Sequence, residues 1–289
     1  MYILFPCAFN NLLKADDDYE YERKIAEECN HHTLLFNYDD YILMNKKLIV
    51  TESFNKPIKA IYRGWMMKPE IYNKFYNDLL NLNIQLINNP QEYENVHCFN
   101  HSYELLKDYT PKSIFFDKDE KIDFNLVKEN FSHWIMKDYV KSVKGFDFPT
   151  SFNSNISNDE LENYVKKFIE LRDNLYTGGI CLKEYVDLKW ENITHEFRAF
   201  YYNGILKVIY HNSENYEDIL PIDFATKMPK LNSNFYTIDF ALLKNEDIIV
   251  IETGDGQVSG IENKESIKTL YEKLKSYEDI CLFSSLTSF

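Results

Sequence analysis

Two carboxylates stand where an apolar strand would otherwise run on. In Phe235-Tyr-Thr-Ile-Asp239-Phe-Ala-Leu-Leu243 an aspartate interrupts the run, and in Ile248-Ile-Val-Ile-Glu252 a glutamate ends it. Only the short polar stretch 244–247 separates the two strings, so antiparallel pairing can set Asp239 and Glu252 side by side on neighbouring strands. Carboxylates that close repel one another unless a cation lies between them. Hard oxygen ligands on a rigid sheet suit Mg²⁺, which is commonly held by one or two carboxylates together with substrate phosphates. The alternative is that Asp239 faces solvent and Glu252 merely closes its strand.

Cations are embedded in strand-like strings of the same kind: Lys137 in Trp-Ile-Met-Lys-Asp, Lys183 in Cys-Leu-Lys-Glu-Tyr-Val and Arg198 in Glu-Phe-Arg-Ala-Phe. A charge inside an apolar strand needs a partner, because isolated burial costs several kcal/mol. Phosphates would be such partners, with Arg198 able to form a bidentate fork and the lysines acting as point charges. Strand alternation lets any one of them point to water instead. Downstream of Lys137, the polar turn Lys141-Ser-Val-Lys144-Gly145 offers backbone amides and Lys144 to an anion. It matches neither phosphate-loop nor dinucleotide fingerprint, so an ordinary surface loop is the competing reading. The histidines, His97 and His195 among them, show no ligand spacing and receive no role.

The elements that must position these groups can be read from periodicity. Short apolar runs at 3–5, 34–36, 48–50, 61–62 and 86–87 alternate with helical segments, the pattern of an α/β unit. Between the last two, Pro69 opens a helix with Ile71, Phe75, Leu79 and Leu82 on one stripe. The texture changes after Thr110-Pro111, where a domain boundary is expected. Strands at 114–116 and 134–140 then flank a modest helix near Leu126. Ser157-Asn-Asp-Glu160 is a capping box that opens a helix ended by Gly178-Gly179. Strands follow at 180–188, 196–202 and 205–210, the last two joined by Asn203-Gly204, a type I′ hairpin signal. After the strand pair that carries Asp239 and Glu252 come a glycine-rich stretch, 253–260, and a closing helix at 265–277.

Composition limits the function. The 289 residues have 45% hydrophobic and 16% aromatic content, enough apolar surface for a sizeable core in roughly two domains. With 32 Lys plus Arg against 46 Asp plus Glu, the net charge of −14 repels phosphate backbones, so duplex nucleic acid is not an expected partner. Five scattered cysteines, never in a C-x-x-C pair, suggest neither a disulfide framework nor a zinc knuckle. No apolar run approaches the roughly 18 residues of a bilayer span, and no signal segment is evident, so a cytoplasmic protein without membrane contact is expected.

Taken in order, Tyr62-Arg63-Gly64-Trp65, Thr110-Pro111, Met136-Lys137-Asp138-Tyr139, the string 182–188, Glu196-Phe-Arg-Ala-Phe200, Thr237-Ile-Asp-Phe-Ala241 and Ile251-Glu-Thr-Gly-Asp-Gly-Gln-Val-Ser-Gly260 resemble the ATP-grasp superfamily. The similarity is greatest to the clade named for two arginines and one lysine, and it runs over most of the chain. The resemblance implies a mixed α/β (α+β) fold: an N-terminal α/β pre-ATP-grasp domain, 1–110, and an ATP-grasp domain, 111–289. The latter would split into a lid-like subdomain, 111–177, and a C-terminal subdomain, 178–289, enclosing a nucleotide cleft. It further implies ATP with Mg²⁺, and an ATP-dependent carboxylate–amine ligase working through an acyl phosphate. The alternatives are a non-catalytic ATP-binding module and a kinase using the same cleft.

Family roles fall residue by residue. Lys137 resembles the strand lysine on ATP phosphate, with 142–145 as the lid loop and Lys144 on the nucleotide. Glu184, Tyr185 and Val186 resemble the adenine hinge, and Asp187 would sit near the ribose. Arg198 resembles the arginine on the transferring phosphoryl group, Lys183 a phosphate-contacting cation, and Asp239 and Glu252 the Mg²⁺ ligands. Relatives tend to carry Arg where this chain has Lys183, and many place Asn where it has Gly254, so Asp255 is the candidate third ligand. Gln257 and Ser259 lie within reach of substrate or shape the turn. Arg63 would hold a carboxylate substrate or form a surface salt bridge. Peptide or protein modification is the clade-level expectation, with a free amino acid or other small carboxylate as the alternative.

Overall fold

The computed structural model describes residues 1–143, 147–190, 193–214, 216–261 and 263–274. Its first part comprises β1 (Tyr2–Ala8), β2 (Asn11–Ala15), α1 (Asp17–Glu28), β3 (His32–Phe36), β4 (Ile58–Tyr62), α2 (Pro69–Leu80), β5 (Ile84–Leu86), α3 (Pro90–His97) and α4 (Phe99–Leu106). β1 pairs in parallel with β3 and β4, β5 extends β4 in parallel, and β2 folds back antiparallel on the end of β1. Parallel strands need crossover helices, which cover both faces; hence the unbroken burial of Ile3, Leu4 and Phe5. The expected strand at 48–50 shrinks to a single bridge between Phe36 and Val50.

The middle part holds β6 (Ser113–Asp117), α5 (Phe124–Asn130), β7 (His133–Asp138), β8 (Phe152–Asn153), α6 (Asn158–Arg172) and β9 (Gly179–Glu184). α6 opens with the Ser157/Glu160 capping box. β9 lies between β6 and β7 in a four-stranded antiparallel sheet. By strand pairing this layer therefore extends to Glu184, past the expected division at residue 177, because β9 finds its hydrogen-bond partners here and not among the later strands. One face of the sheet packs Trp134, Met136 and Leu182 against Leu161 and Phe168.

The last part contains β10 (Glu196–Tyr202), β11 (Ile205–His211), α7 (Ile222–Thr226), β12 (Phe235–Leu242), β13 (Ile248–Asp255) and α8 (Lys264–Lys273). The sheet order is β11-β10-β12-β13, antiparallel throughout. Asn203 and Gly204 take φ of 53° and 81°, as the type I′ turn requires. The expected extension of the closing helix beyond residue 274 lies outside the described residues, as does Cys281. This sheet is not a separate body: Phe200, Tyr210, Leu270 and Tyr271 share a core with Ile3, Phe5 and Ile25 of the first part. No helix among the described residues is long and apolar enough to cross a membrane.

Candidate functional site

Register assembles the site. Arg198 on β10 stands opposite Asp239 on β12, which stands opposite Glu252 on β13, so the three charges form one row across three strands. Arg198 holds Asp239 with a two-pronged fork, Nε to Oδ1 at 2.8 Å and an Nη to Oδ2 at 2.6 Å. Burial, joined by the Glu252 charge, pushes the Asp239 carboxyl above its ordinary value despite that fork, while the same carboxylate keeps Arg198 charged.

A second row comes from the middle sheet. Ile135, Lys137, Cys181 and Lys183 share the face opposite the Trp134–Leu182 core, because β7 and β9 alternate in register. Lys137 Nζ reaches Glu252 Oε2 at 3.0 Å, and Lys141 Nζ reaches Oε1 at 3.1 Å. Burial alone would raise the Glu252 pKa; the two ammonium groups overcome it and hold the carboxyl well below the usual range. Burial likewise works against the Lys137 ammonium, and Glu252 more than restores it. Among the described residues Lys183 pairs with no such carboxylate. Its Nζ donates to the Ile251 carbonyl at 2.7 Å and lies 4.4 Å from the centre of the Phe99 ring. Burial, with the neighbouring Lys137 charge, lowers its pKa to about 7.

These rows divide two cavities. One, the more apolar, is lined by Ile135, Val186, Leu188, Trp190 and Ile251 together with Lys137, Lys183, Glu184 and Tyr185. The Glu184 and Tyr185 amides donate to the Lys112 and His133 carbonyls. No such bond reaches the Val186 amide among the described residues. Asp187 is exposed and lies outside this lining. The other cavity, the more polar of the two, is lined by Lys141, Arg198, Asp239, Glu252, His97, Thr237 and Ser259, among others. Gly254 has no room for a side chain: an added Cβ would stand 2.8 Å from Ser259 Oγ and 2.9 Å from Thr237 Oγ1.

Three candidates from the sequence do not present their polar atoms to this cluster, although Asp255 is among the residues lining the second cavity. Asp255 is fully buried, accepting from Asn88 Nδ2 at 2.5 Å and from the Gln257 backbone at 2.8 Å and side chain at 3.2 Å. Burial pushes its pKa up to about 7 against those three donors, and its oxygens serve a network instead of standing beside Asp239 and Glu252. Gln257, also fully buried, donates to Tyr72 Oη at 2.7 Å and accepts from the Tyr62 amide. Arg63 is buried rather than at the surface. It grips Glu22 at 2.6 Å and donates to the Gly256 and Ser259 carbonyls, so its guanidinium is committed inside the protein and not to a substrate carboxylate. The expected contact of Lys144, and the rest of 144–146, falls outside the described residues.

Two groups that motifs did not single out do join it. Lys141 is visible in the sequence only as part of a polar turn. His97 ends α3, is 5% exposed and stacks on Tyr93 with ring centres 4.8 Å apart. Burial and the nearby Lys141 charge lower its pKa to about 3, so a neutral imidazole edge faces the polar cavity.

A parallel-sheet domain followed by two antiparallel layers, with an apolar cleft and a charged row where the layers meet, defines the ATP-grasp class of fold. The chain belongs to an ATP-grasp domain family, the third of the clade named for two arginines and one lysine, whose model matches residues 105–274. No curated protein matches the sequence. Similar solved structures include a RimK domain ATP-grasp protein from Sphaerobacter thermophilus DSM 20745, at 12% identity and TM-score 0.59, covering 94% of this chain and 97% of that one. D-alanine–D-alanine ligase from Bacillus anthracis is 14% identical with TM-score 0.54, covering 99% and 96%. The macrocyclase MdnC bound with precursor peptide MdnA, from Microcystis aeruginosa MRC, is 12% identical with TM-score 0.54, covering 90% and 92%.

Proposed function

We propose that this protein is an ATP- and Mg²⁺-dependent carboxylate–amine ligase that activates its substrate carboxylate as an acyl phosphate, which an amine then attacks. The observation that carries the reading is the in-register row Arg198–Asp239–Glu252, capped by Lys137 and Lys141, between a base-sized apolar cleft and a polar cavity. The donor set fits Mg²⁺: two hard carboxylates, Asp239 and Glu252, share one sheet face with cations on either side. Bound there, the ion would neutralise phosphate charge.

The chain's own residues supply the rest. Ile135, Val186, Leu188 and Ile251 give the base apolar walls, and the unpartnered Val186 amide suits its hydrogen-bonding edge. Lys137 and Lys183 sit where phosphates leave that cleft. Arg198, rigid and always charged, suits the oxygens of the transferring phosphoryl group, where fixed positive charge stabilises the transition state. His97, Thr237 and Ser259 line the side from which acceptor groups would approach. That side is also where a peptide would have to enter, a substrate class supported by the MdnC complex among the similar structures.

The test is acceptor-dependent ADP release, screened with carboxylate and amine pools including peptides, for wild type and Glu252→Gln. Turnover in wild type that requires Mg²⁺ and disappears in Glu252→Gln is expected. Mg-ATP binding without ADP release in any pool would move the protein to a non-catalytic nucleotide-binding role. A phosphorylated product without amide formation would make it a kinase.

A further inference from the structure

Glu252 is held by two lysines that belong to different cavities. Lys137, on β7, lines the base-sized cleft, while Lys141 lines the polar cavity with Arg198 and Asp239. Each takes one oxygen of the same carboxylate, at 3.0 Å and 3.1 Å. Resting on the ATP reading above, we propose that Lys141 joins Arg198 in recognising the terminal phosphate of a nucleoside triphosphate, and that Lys141 is what separates triphosphate from diphosphate.

Placement carries the argument. A nucleotide with its base against Val186 and Ile251 must lead its phosphates past Lys183 and Lys137 before any reaches the polar cavity. Only the phosphate furthest from the base extends that far, and among the described residues Lys141 and Arg198 are the cations lining that cavity. Arg198 is engaged by Asp239 through two bonds, so Lys141 is the more available of the two.

Lys141 is also built into position rather than left on a loose surface. Asp138 is 1% exposed, and its Oδ1 accepts from the Val140 amide at 2.7 Å and the Lys141 amide at 2.6 Å. The Asp138 amide donates in return to the Lys141 carbonyl at 2.9 Å, and Arg172 Nε fixes the other carboxylate oxygen at 2.8 Å. This buried carboxylate clamps the backbone that bears Lys141. The lysine side chain is 42% exposed, so its head can turn from Glu252 to an arriving phosphate without being taken out of water. Fixed backbone and movable ammonium are what a phosphate-sensing lysine requires.

The experiment is isothermal titration of the full chain with Mg-ADP and with Mg-AMP-PNP, a non-hydrolysable triphosphate, for wild type, Lys141→Met, Lys141→Arg and Lys137→Met. Lys141→Met should weaken AMP-PNP at least tenfold while changing ADP less than twofold. Lys141→Arg should restore most of the triphosphate affinity, and Lys137→Met should weaken both nucleotides. Unfolding temperatures within a few degrees of wild type establish that the variants are folded. Equal weakening of both nucleotides by Lys141→Met, or no weakening of either, overturns the assignment and leaves the ATP reading standing. If wild type binds neither nucleotide, the ATP reading fails, and the assignment fails with it.

Discussion

Replacing Glu252 by Gln should make the protein less stable and, without divalent metal, a tighter binder of ATP. The carboxylate now neutralises Lys137 and Lys141, whose side chains are 15% and 42% exposed against 22% for Glu252. Exposed pairs contribute up to about 1 kcal/mol, and breaking a fully buried one costs about 3–5 kcal/mol. This partly open cluster falls between, at about 2 kcal/mol. For a chain of this size that loss corresponds to roughly 3 °C in unfolding temperature. The glutamine removes the carboxylate that both ammonium groups share, and phosphate oxygens would relieve the same penalty on binding. ATP in EDTA should therefore bind the variant up to roughly 30-fold more tightly than wild type, about 2 kcal/mol expressed as an affinity ratio. With Mg²⁺ present the gain should vanish if, as proposed, Glu252 is one of the two carboxylates that hold the ion. Scanning calorimetry and isothermal titration in EDTA measure both effects. An unchanged unfolding temperature together with unchanged or weaker metal-free ATP binding would refute the claim that Glu252 holds the two lysines in the free protein.

Lys183 should make nucleotide binding proton-linked. Its free pKa of about 7, against an ordinary 10.5, leaves it mostly neutral at pH 8, and phosphate would restore the charge. Titrations at pH 8 in buffers of different ionisation enthalpy should show uptake of close to one proton, absent in Lys183→Met, with affinity falling as pH rises above 7. His97 should give the opposite kind of signal, in stability alone. Its folded pKa of about 3 lies below the ordinary 6.5, so the unfolded chain binds a proton that the folded chain refuses. Its share of stability is thus lost as pH falls from 6.5 toward 3, by up to about 1.4 kcal/mol per pH unit. Chemical denaturation of His97→Phe across that window should show a shallower slope than wild type. Arg63→Met should cost about 3–5 kcal/mol by stranding buried Glu22, and Glu22→Met added to it should recover part of the loss. A double variant no more stable than the single one would count against that structural role.

What the sequence made legible is what local pattern controls. The Ser157/Glu160 box and the Asn203-Gly204 turn are short-range signals that appear in the fold; α2 forms where Pro69 opens it, but its buried face is Tyr72, Phe75, Tyr76 and Leu79, with Ile71 exposed and Leu82 beyond its end. Asp239 and Glu252 were legible as a pair because a brief turn joins their strands, so pairing has few registers available. Lys137, Lys183 and Arg198 were legible because a cation within an apolar strand demands an explanation. Lys141 and His97 were not, since one rides a turn and the other a helix end, and tertiary packing alone brings both to the cavity beside Glu252. For Asp255, Gln257 and Arg63 the sequence left the choice open between a site role and a structural one. Residue type cannot distinguish a polar group that faces a cleft from one that satisfies a buried network, and all three belong to a network. The order of strands in the middle sheet was also hidden, because β9 pairs across a long separation with β6 and β7.

That division between a closed polar network and an open one bears on how the site works. Asp255, Gln257, Asn88 and Arg63 are at most 1% exposed, and their hydrogen bonds tie the stretch 255–259 to β4, α2 and the segment before α3. Exchanging any of those partners would strand a dry charge or amide, at a cost of about 1–3 kcal/mol or more. The stretch is consequently a fixed wall, and it presents Gly254 and Ser259 to the polar cavity from an unchanging position. Glu252, two residues before Gly254, is in the contrary state: its partners are lysine side chains, and one of them, Lys141, is 42% exposed and can leave without being stranded. The same β-strand thus carries an exchangeable charge at 252 and an immovable anchor from 255 onward. A site that must trade lysine–carboxylate pairs for contacts to phosphate and metal needs both, because the exchange is productive only if the strand bearing Glu252 stays in place while its partners change.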